Sequence, residues 1–259
     1  MSLDATSGAR WIARLAALAL EAVLPRFCFG CSRPLAAEPA PLGLCFRCRG
    51  RLEPVDPARA CRGCLRPLPA ERVGEPICLG CRREPPPFDR AAALWCYRPP
   101  LDAVLRAFKF GGLDYLGEAL ARVATQRPAV QRQSQVDLVL PVPMPWPRRL
   151  ARGYNQAERI ARPLARELGI PFAQPLARRG WRRRQSGLDR GERRGLPASS
   201  FRVADPAAVE GASLLLIDDI FTTGSTARAA ATALRTAGAR RIEVLVAAWT
   251  PPDRPAGSP

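Results

Sequence analysis

Beyond residue 88, short unbroken apolar runs alternate with stretches of helical spacing. Ala91–Tyr97 predicts a strand. Leu101, Val104, Leu105 and Phe108 recur at three- and four-residue intervals, so 101–110 reads as a helix, ended by Gly111-Gly112. A second helix is expected over Leu116–Arg127 and a buried strand over Val136–Val142, which runs into a proline-rich turn at 141–147. Ala157–Leu168 predicts the next helix, and Leu214–Ile217 a strand buried on both faces. An Ala/Leu helix over Ala227–Ala237 stops at Gly238, and Arg241–Ala248 is the last strand. This alternation predicts an α/β fold with a doubly wound, mostly parallel sheet.

Residues 27–84 lack that periodicity, and Glu84-Pro-Pro-Pro87 is a stiff, non-helical linker. Four regions are therefore expected: an N-terminal amphipathic helix over 1–26, a cysteine-rich module over 27–84, the α/β domain over 88–250 and a disordered tail over 251–259. Trp11, Leu15, Leu18 and Ala22 share one face of the first helix, either packed on the body or docking to a membrane or partner. Arg14 and Glu21 interrupt it, and no apolar run reaches the roughly 18 residues of a membrane span.

Eight of the nine cysteines form four CxxC pairs: Cys28/Cys31, Cys45/Cys48, Cys61/Cys64 and Cys78/Cys81, a repeat of about 33 residues. A CxxC turn places two thiolates on one metal, and tetrahedral Zn²⁺ needs two such turns. The spacing predicts two structural Zn²⁺ ions in a double zinc ribbon. The simplest pairing joins consecutive CxxC turns, with a crossed pairing as the alternative. A disulfide module competes, but regular CxxC pairs suit disulfides poorly. Cys96 reads as an inert core thiol.

Charge adds a second theme. The chain carries +17, and 39 of its 40 basic residues are arginine, Lys109 being the exception. Such a chain attracts polyanions. Histidine is absent, so any zinc site must be thiolate. Arginines and phenylalanines in the cysteine loops suit single-stranded nucleic acid. Residues 177–200 lack apolar periodicity and include Arg182, Arg183 and Arg184; they read as a mobile loop over a crevice, either a funnel for anions or a solvated arm.

The densest chemistry follows the strand at 214–217. Asp218 and Asp219 come where that strand should end, then Ile220-Phe221-Thr222-Thr223-Gly224-Ser225-Thr226 leads into a helix. Free N–H groups there favour phosphate. The acids can accept hydrogen bonds from sugar hydroxyls or hold Mg²⁺ through water. Arg152, Gly153, Asn155 and Gln156 form a second polar loop feeding a helix, suited to pyrophosphate, with helix capping the alternative for Asn155. The 214–226 string resembles the phosphoribosyl-pyrophosphate (PRPP) motif of type I phosphoribosyltransferases.

The whole set resembles the ComF family: the CxxC pairs, Lys109-Phe-Gly111, Pro141-Val-Pro143, Arg152-Gly-Tyr-Asn-Gln-Ala157, Gln185-x-Gly-Leu188 and the acid-pair string. The resemblance covers about residues 20–249. It implies a double zinc ribbon ahead of a type I phosphoribosyltransferase-like domain. It also implies PRPP and Mg²⁺ binding, single-stranded DNA and competence-machinery proteins as partners, and a bacterial cytoplasmic location, at or away from the inner face of the membrane. One departure is Leu196, where the family commonly carries Asn ahead of the Phe at 201. Three readings follow: a PRPP-binding protein that handles single-stranded DNA in natural competence, an active phosphoribosyltransferase of unknown acceptor, and a protein-interaction module.

Overall fold

In the computed structural model the described residues are 26–35, 40–72, 76–127, 130, 136–179 and 196–252. The N-terminal helix at 1–26 falls outside them but for Arg26, as do Arg182, Arg183, Arg184 and the tail beyond 252. Among the described residues no helix is long and apolar enough to cross a membrane.

The cysteine module contributes two short helices, α1 (Phe46–Arg49) and α2 (Leu79–Arg83). Four strands, β1 (Arg90–Cys96), β2 (Leu138–Pro141), β5 (Ser213–Phe221) and β6 (Arg241–Trp249), form one sheet. Its order is β1-β6-β5-β2 and every pairing is parallel. β3 (Leu176–Arg178) and β4 (Phe201–Val203) make a separate antiparallel pair.

Helices α3 (Leu101–Phe110), α4 (Tyr115–Thr125) and α6 (Gln156–Leu168) bury their apolar stripes against Val139, Leu215, Ile217 and Leu245. α7 (Ser225–Thr236) covers the opposite face with Leu138, Leu140, Leu214, Leu216 and Val244. Successive strand residues point to opposite faces. With helices on both faces, the strands are apolar through their central positions, which is why they read as unbroken runs.

Topology places a crevice. Beyond β2, Phe172 adds a parallel bridge to Val139, and the Val139 N–H donates to the Pro171 carbonyl at 2.9 Å. The chain leaves β2 through α6 toward that side, and leaves β5 through α7 toward β6, the other side. The C-terminal ends of β2 and β5 are therefore a topological switch point, where open α/β sheets bind ligands.

Three features differ from the sequence expectation. β5 does not stop at Ile217: Asp218 pairs with Val246, Ile220 with Ala248 and Phe221 with Trp249, because the β6 ladder continues past the acids. The turn after β2 becomes a helix, α5 (Trp146–Arg152), none of whose residues is buried. The cysteine module is docked on the sheet. Glu53–Val55 covers the open edge of β1, with Pro54 bridged to Trp95 and the Cys96 N–H donating to the Glu53 carbonyl at 2.8 Å. That contact satisfies backbone groups an edge strand would leave exposed.

Candidate functional site: two thiolate groups and a crevice at the switch point

The cysteine sulfurs gather in consecutive sets. Cys28, Cys31, Cys45 and Cys48 form one group, and Cys61, Cys64, Cys78 and Cys81 the other, each with its sulfurs within 4.8 Å of one another. The crossed pairing is thereby excluded. Zn–S bonds of about 2.3 Å give a tetrahedral edge of about 3.8 Å. Cys31 and Cys45 Sγ lie 3.8 Å apart, and Cys64 and Cys78 Sγ 3.7 Å, so both donor sets fit a tetrahedral metal. Backbone N–H groups point at the sulfurs: Cys45 donates to Cys28 Sγ at 3.3 Å and Cys78 to Cys61 Sγ at 3.2 Å. Burial works against ionisation of Cys28, yet the N–H groups of Cys45, Gly30 and Cys31 bring it down to about 6. Burial and the neighbouring thiols push Cys48 up to about 12. Four thiols this close can all ionise only when a cation joins them.

The second site is the crevice. Asp218 and Asp219 sit in the last turns of the β5 ladder, both partly buried. Burial and the Asp219 charge together push Asp218 well above the usual carboxylate range, with Lys109 pulling the other way. Lys109 Nζ lies 2.9 Å from Asp219 Oδ2. Two acids beside one lysine gather carboxyl oxygens in one place, and hydroxyl donors or a divalent cation there would offset the cost of holding both acids ionised. Sequence reasoning missed Lys109 as a site residue, although its standing as the single lysine among 39 arginines was a signal.

Thr222 and Thr223 then turn the chain into α7. Gly224 takes φ +76, and a Cβ there would run into the Phe221 ring, so only glycine fits. No side chain caps α7 at Gly224. Among the described residues the Ser225 N–H meets only Thr223 Oγ1, at 3.4 Å. The first-turn N–H groups of α7, beside the hydroxyls of Thr223 and Ser225, make a position chemically suited to an anion.

The third wall is the 152–156 segment. The Arg152 guanidinium lies over the Phe110 ring at 5.1 Å and donates to Gln156 Oε1 at 3.2 Å. Gly153 reverses the chain at φ +78. Asn155 is buried: its Nδ2 donates to the Val142 carbonyl at 2.9 Å and its Oδ1 accepts from the Ala157 N–H at 3.2 Å, so it caps α6. Gln156 is also buried, its Nε2 donating to the Phe108 carbonyl at 3.4 Å. The Tyr154 hydroxyl donates to that same carbonyl. Of the four residues singled out here, Asn155 and Gln156 spend their side chains on the scaffold, and Arg152 is held by Phe110 and Gln156 with guanidinium donors to spare.

Beside β2 lies a cleft of ≈ 270 Å³ between the 143–147 turn and β3. Arg178 on its wall stacks on Phe201 at 4.6 Å.

A family model described as the phosphoribosyl transferase domain matches residues 155–258. The chain is 32% identical over 154 residues to the DNA utilization protein YhgH of Salmonella typhi, covering 57% of this chain and 66% of that protein. It is also 32% identical over 155 residues to Competence protein F of Haemophilus influenzae, covering 57% of this chain and 67% of that one. The chain thus spans about two thirds of the curated relatives it matches. Among solved structures, adenine phosphoribosyltransferase superposes at a TM-score of 0.33 with 16% identity over 57% of this chain and 84% of that chain. A TM-score that low adds no weight to the fold, which stands on the parallel sheet, its helical layers and the family model. Identity of 32% across 67% of Competence protein F goes further than a shared fold: this chain belongs to the ComF family.

Proposed function

We propose that the crevice binds PRPP with Mg²⁺, that each cysteine group holds a structural Zn²⁺, and that the protein handles single-stranded DNA during DNA uptake on the cytoplasmic side. The observation that carries the reading is the meeting, at the end of β5, of a paired-acid site with an uncapped helix N-terminus whose Gly224 has no room for a side chain. In this reading Asp218 and Asp219 accept the ribose hydroxyls. The 222–226 loop takes the 5-phosphate, and Arg152 and the Gly153 backbone take the pyrophosphate. Asn155 and Gln156 hold that arm in place. Mg²⁺, when bound, supplies the charge that offsets the pyrophosphate. The names Competence protein F and DNA utilization protein support the role in DNA uptake, with competence-machinery proteins as further partners.

The second reading, transfer of the phosphoribosyl group to an acceptor, uses the same residues. Calorimetric titration with Mg²⁺-PRPP separates site from scaffold. Asp218→Asn with Asp219→Asn should abolish binding while circular dichroism and zinc content stay unchanged; unaltered affinity would overturn the assignment. Pyrophosphate release that requires one acceptor and vanishes in this variant would make the protein a transferase. For DNA, neutralising Arg182, Arg183 and Arg184 should reduce the slope of log affinity against log salt by about 2. An identical slope would take those arginines off the DNA path.

A further inference from the structure

The cleft beside β2 adjoins the crevice but is lined by none of the residues assigned to it above. Its walls include Met144, Trp146, Arg149, Gln174, Arg178 and Arg179, with the prolines of the 143–147 turn between them, and among the described residues no carboxylate lines it. Trp146 is 71% exposed, on a helix that buries nothing. A tryptophan left open at the first position of a helix, flanked by Pro145 and Pro147, is a platform for a planar ring. Opposite it, the Arg178 guanidinium is fixed by its stacking on Phe201. Burial and the charge of Arg148 both pull the pKa of Arg178 down, with Asp218 acting the other way. A bound anion relieves both costs. Glu158 engages Gln174 at 2.9 Å and Arg149 at a loose 3.8 Å, so Arg149 keeps most of its donors. At ≈ 270 Å³ the space is small, just under the roughly 300–1,000 Å³ of drug-sized ligand pockets.

We propose that this cleft binds one nucleotide unit, the base laid on Trp146 and the phosphate on Arg149, Arg178 and Arg179. The chemistry asks for both parts: a π-face for the tryptophan and an anion for three arginines in a cleft that no carboxylate lines among the described residues. The unit can be a free nucleoside monophosphate or one residue of a single strand. Nothing in this assignment depends on PRPP in the neighbouring crevice.

The test titrates the full, zinc-loaded chain with thymidine 5′-monophosphate, thymidine, inorganic phosphate and a short oligothymidylate. The variants are Trp146→Ala and Arg149→Gln, both at exposed positions, with circular dichroism as the fold check. Wild-type protein should bind the monophosphate more tightly than thymidine or phosphate, and Trp146→Ala should weaken it at least about tenfold. Binding of the oligonucleotide alone, weakened similarly by Trp146→Ala, supports the site with a strand as its source. Phosphate binding as tightly as the nucleotide would reduce the cleft to a bare anion site and overturn the proposal. So would variants that bind every probe like wild type. PRPP affinity should be the same in Trp146→Ala and wild type, so failure of the crevice reading and failure of this one are distinguishable.

Discussion

Shifted by 33 residues, Cys28, Cys31, Cys45 and Cys48 land on Cys61, Cys64, Cys78 and Cys81, and the backbone follows. The Cys28 N–H donates to the Arg33 carbonyl at 2.9 Å, as Cys61 does to Arg66 at 2.9 Å. Leu35 bonds Arg26 and Leu68 bonds Arg59, each at 2.7 Å. Even the left-handed residue recurs, at Ser32 (φ 56) and Leu65 (φ 63). The surroundings diverge. Cys28, Leu42, Leu44 and Cys48 of the first half join the large buried cluster that contains Trp95 and α3. The second half keeps a small cluster of its own, Cys61, Leu68 and Cys81, and reaches the sheet through Leu65, which stands where the first half has exposed Ser32. The cysteine spacing and its backbone hydrogen bonds repeat the knuckle, and the side chain at one repeat position decides how it docks. A leucine in the left-handed region costs about 1 kcal/mol or more, and burial of Leu65 offsets it.

The most damaging way to break this equivalence is to remove one metal at a time. Cys28→Ser with Cys31→Ser, and Cys61→Ser with Cys64→Ser, should each lower zinc from two to one per chain by elemental analysis. Structural Zn²⁺ contributes as much as about 10–16 kcal/mol in isolated fingers, so both should be strongly destabilised. Hydrogen exchange should show α4 deprotected only in the first variant, since Pro41–Gly43 of the first half packs on it. Identical exchange maps would erase the distinction. Leu65→Ala should cost about 2–4 kcal/mol in urea denaturation, against no more than about 0.5 for Ser32→Ala. The exposed ends also differ. Phe46 is 81% exposed and its repeat counterpart Leu79 53%, and only Phe46 can stack on a base. If the module touches single strands, Phe46→Ala should weaken oligonucleotide binding by about 1–3 kcal/mol, and Leu79→Ala should leave it unchanged. A smaller effect, of opposite sign, is expected at Gly80, where an added Cβ meets nothing closer than Cys78 Sγ at 3.9 Å. Gly80→Ala should raise stability by about 0.5–1 kcal/mol, read as a higher melting temperature.

Much of this was legible because it depends on spacing. The 33-residue cysteine period implied the knuckles, and unbroken apolar runs implied strands covered on both faces. The acid pair and Gly224 read as a candidate site because strand, loop and helix follow one another within a few residues. What escaped had no local signal. α5 has no buried residue, so its Trp-Pro-Arg-Arg-Leu-Ala-Arg sequence carries no apolar stripe to read. Asp218 and Asp219 read as the end of a strand, yet the partner ladder on β6 carries the strand through them. The pairing of Glu53–Val55 with the β1 edge runs through a proline, which argues against a strand when only sequence is in view. The Lys109–Asp219 contact joins residues that only the fold brings together.

The Phe108 carbonyl accepts from both Tyr154 and Gln156. It lies one residue before Lys109, which holds Asp219, and Gln156 in turn holds Arg152. That single oxygen works as a fulcrum between the acid pair and the arginine arm. Both ends of the crevice thus hang from one backbone oxygen, the acid pair through Lys109 and the arginine arm through Gln156.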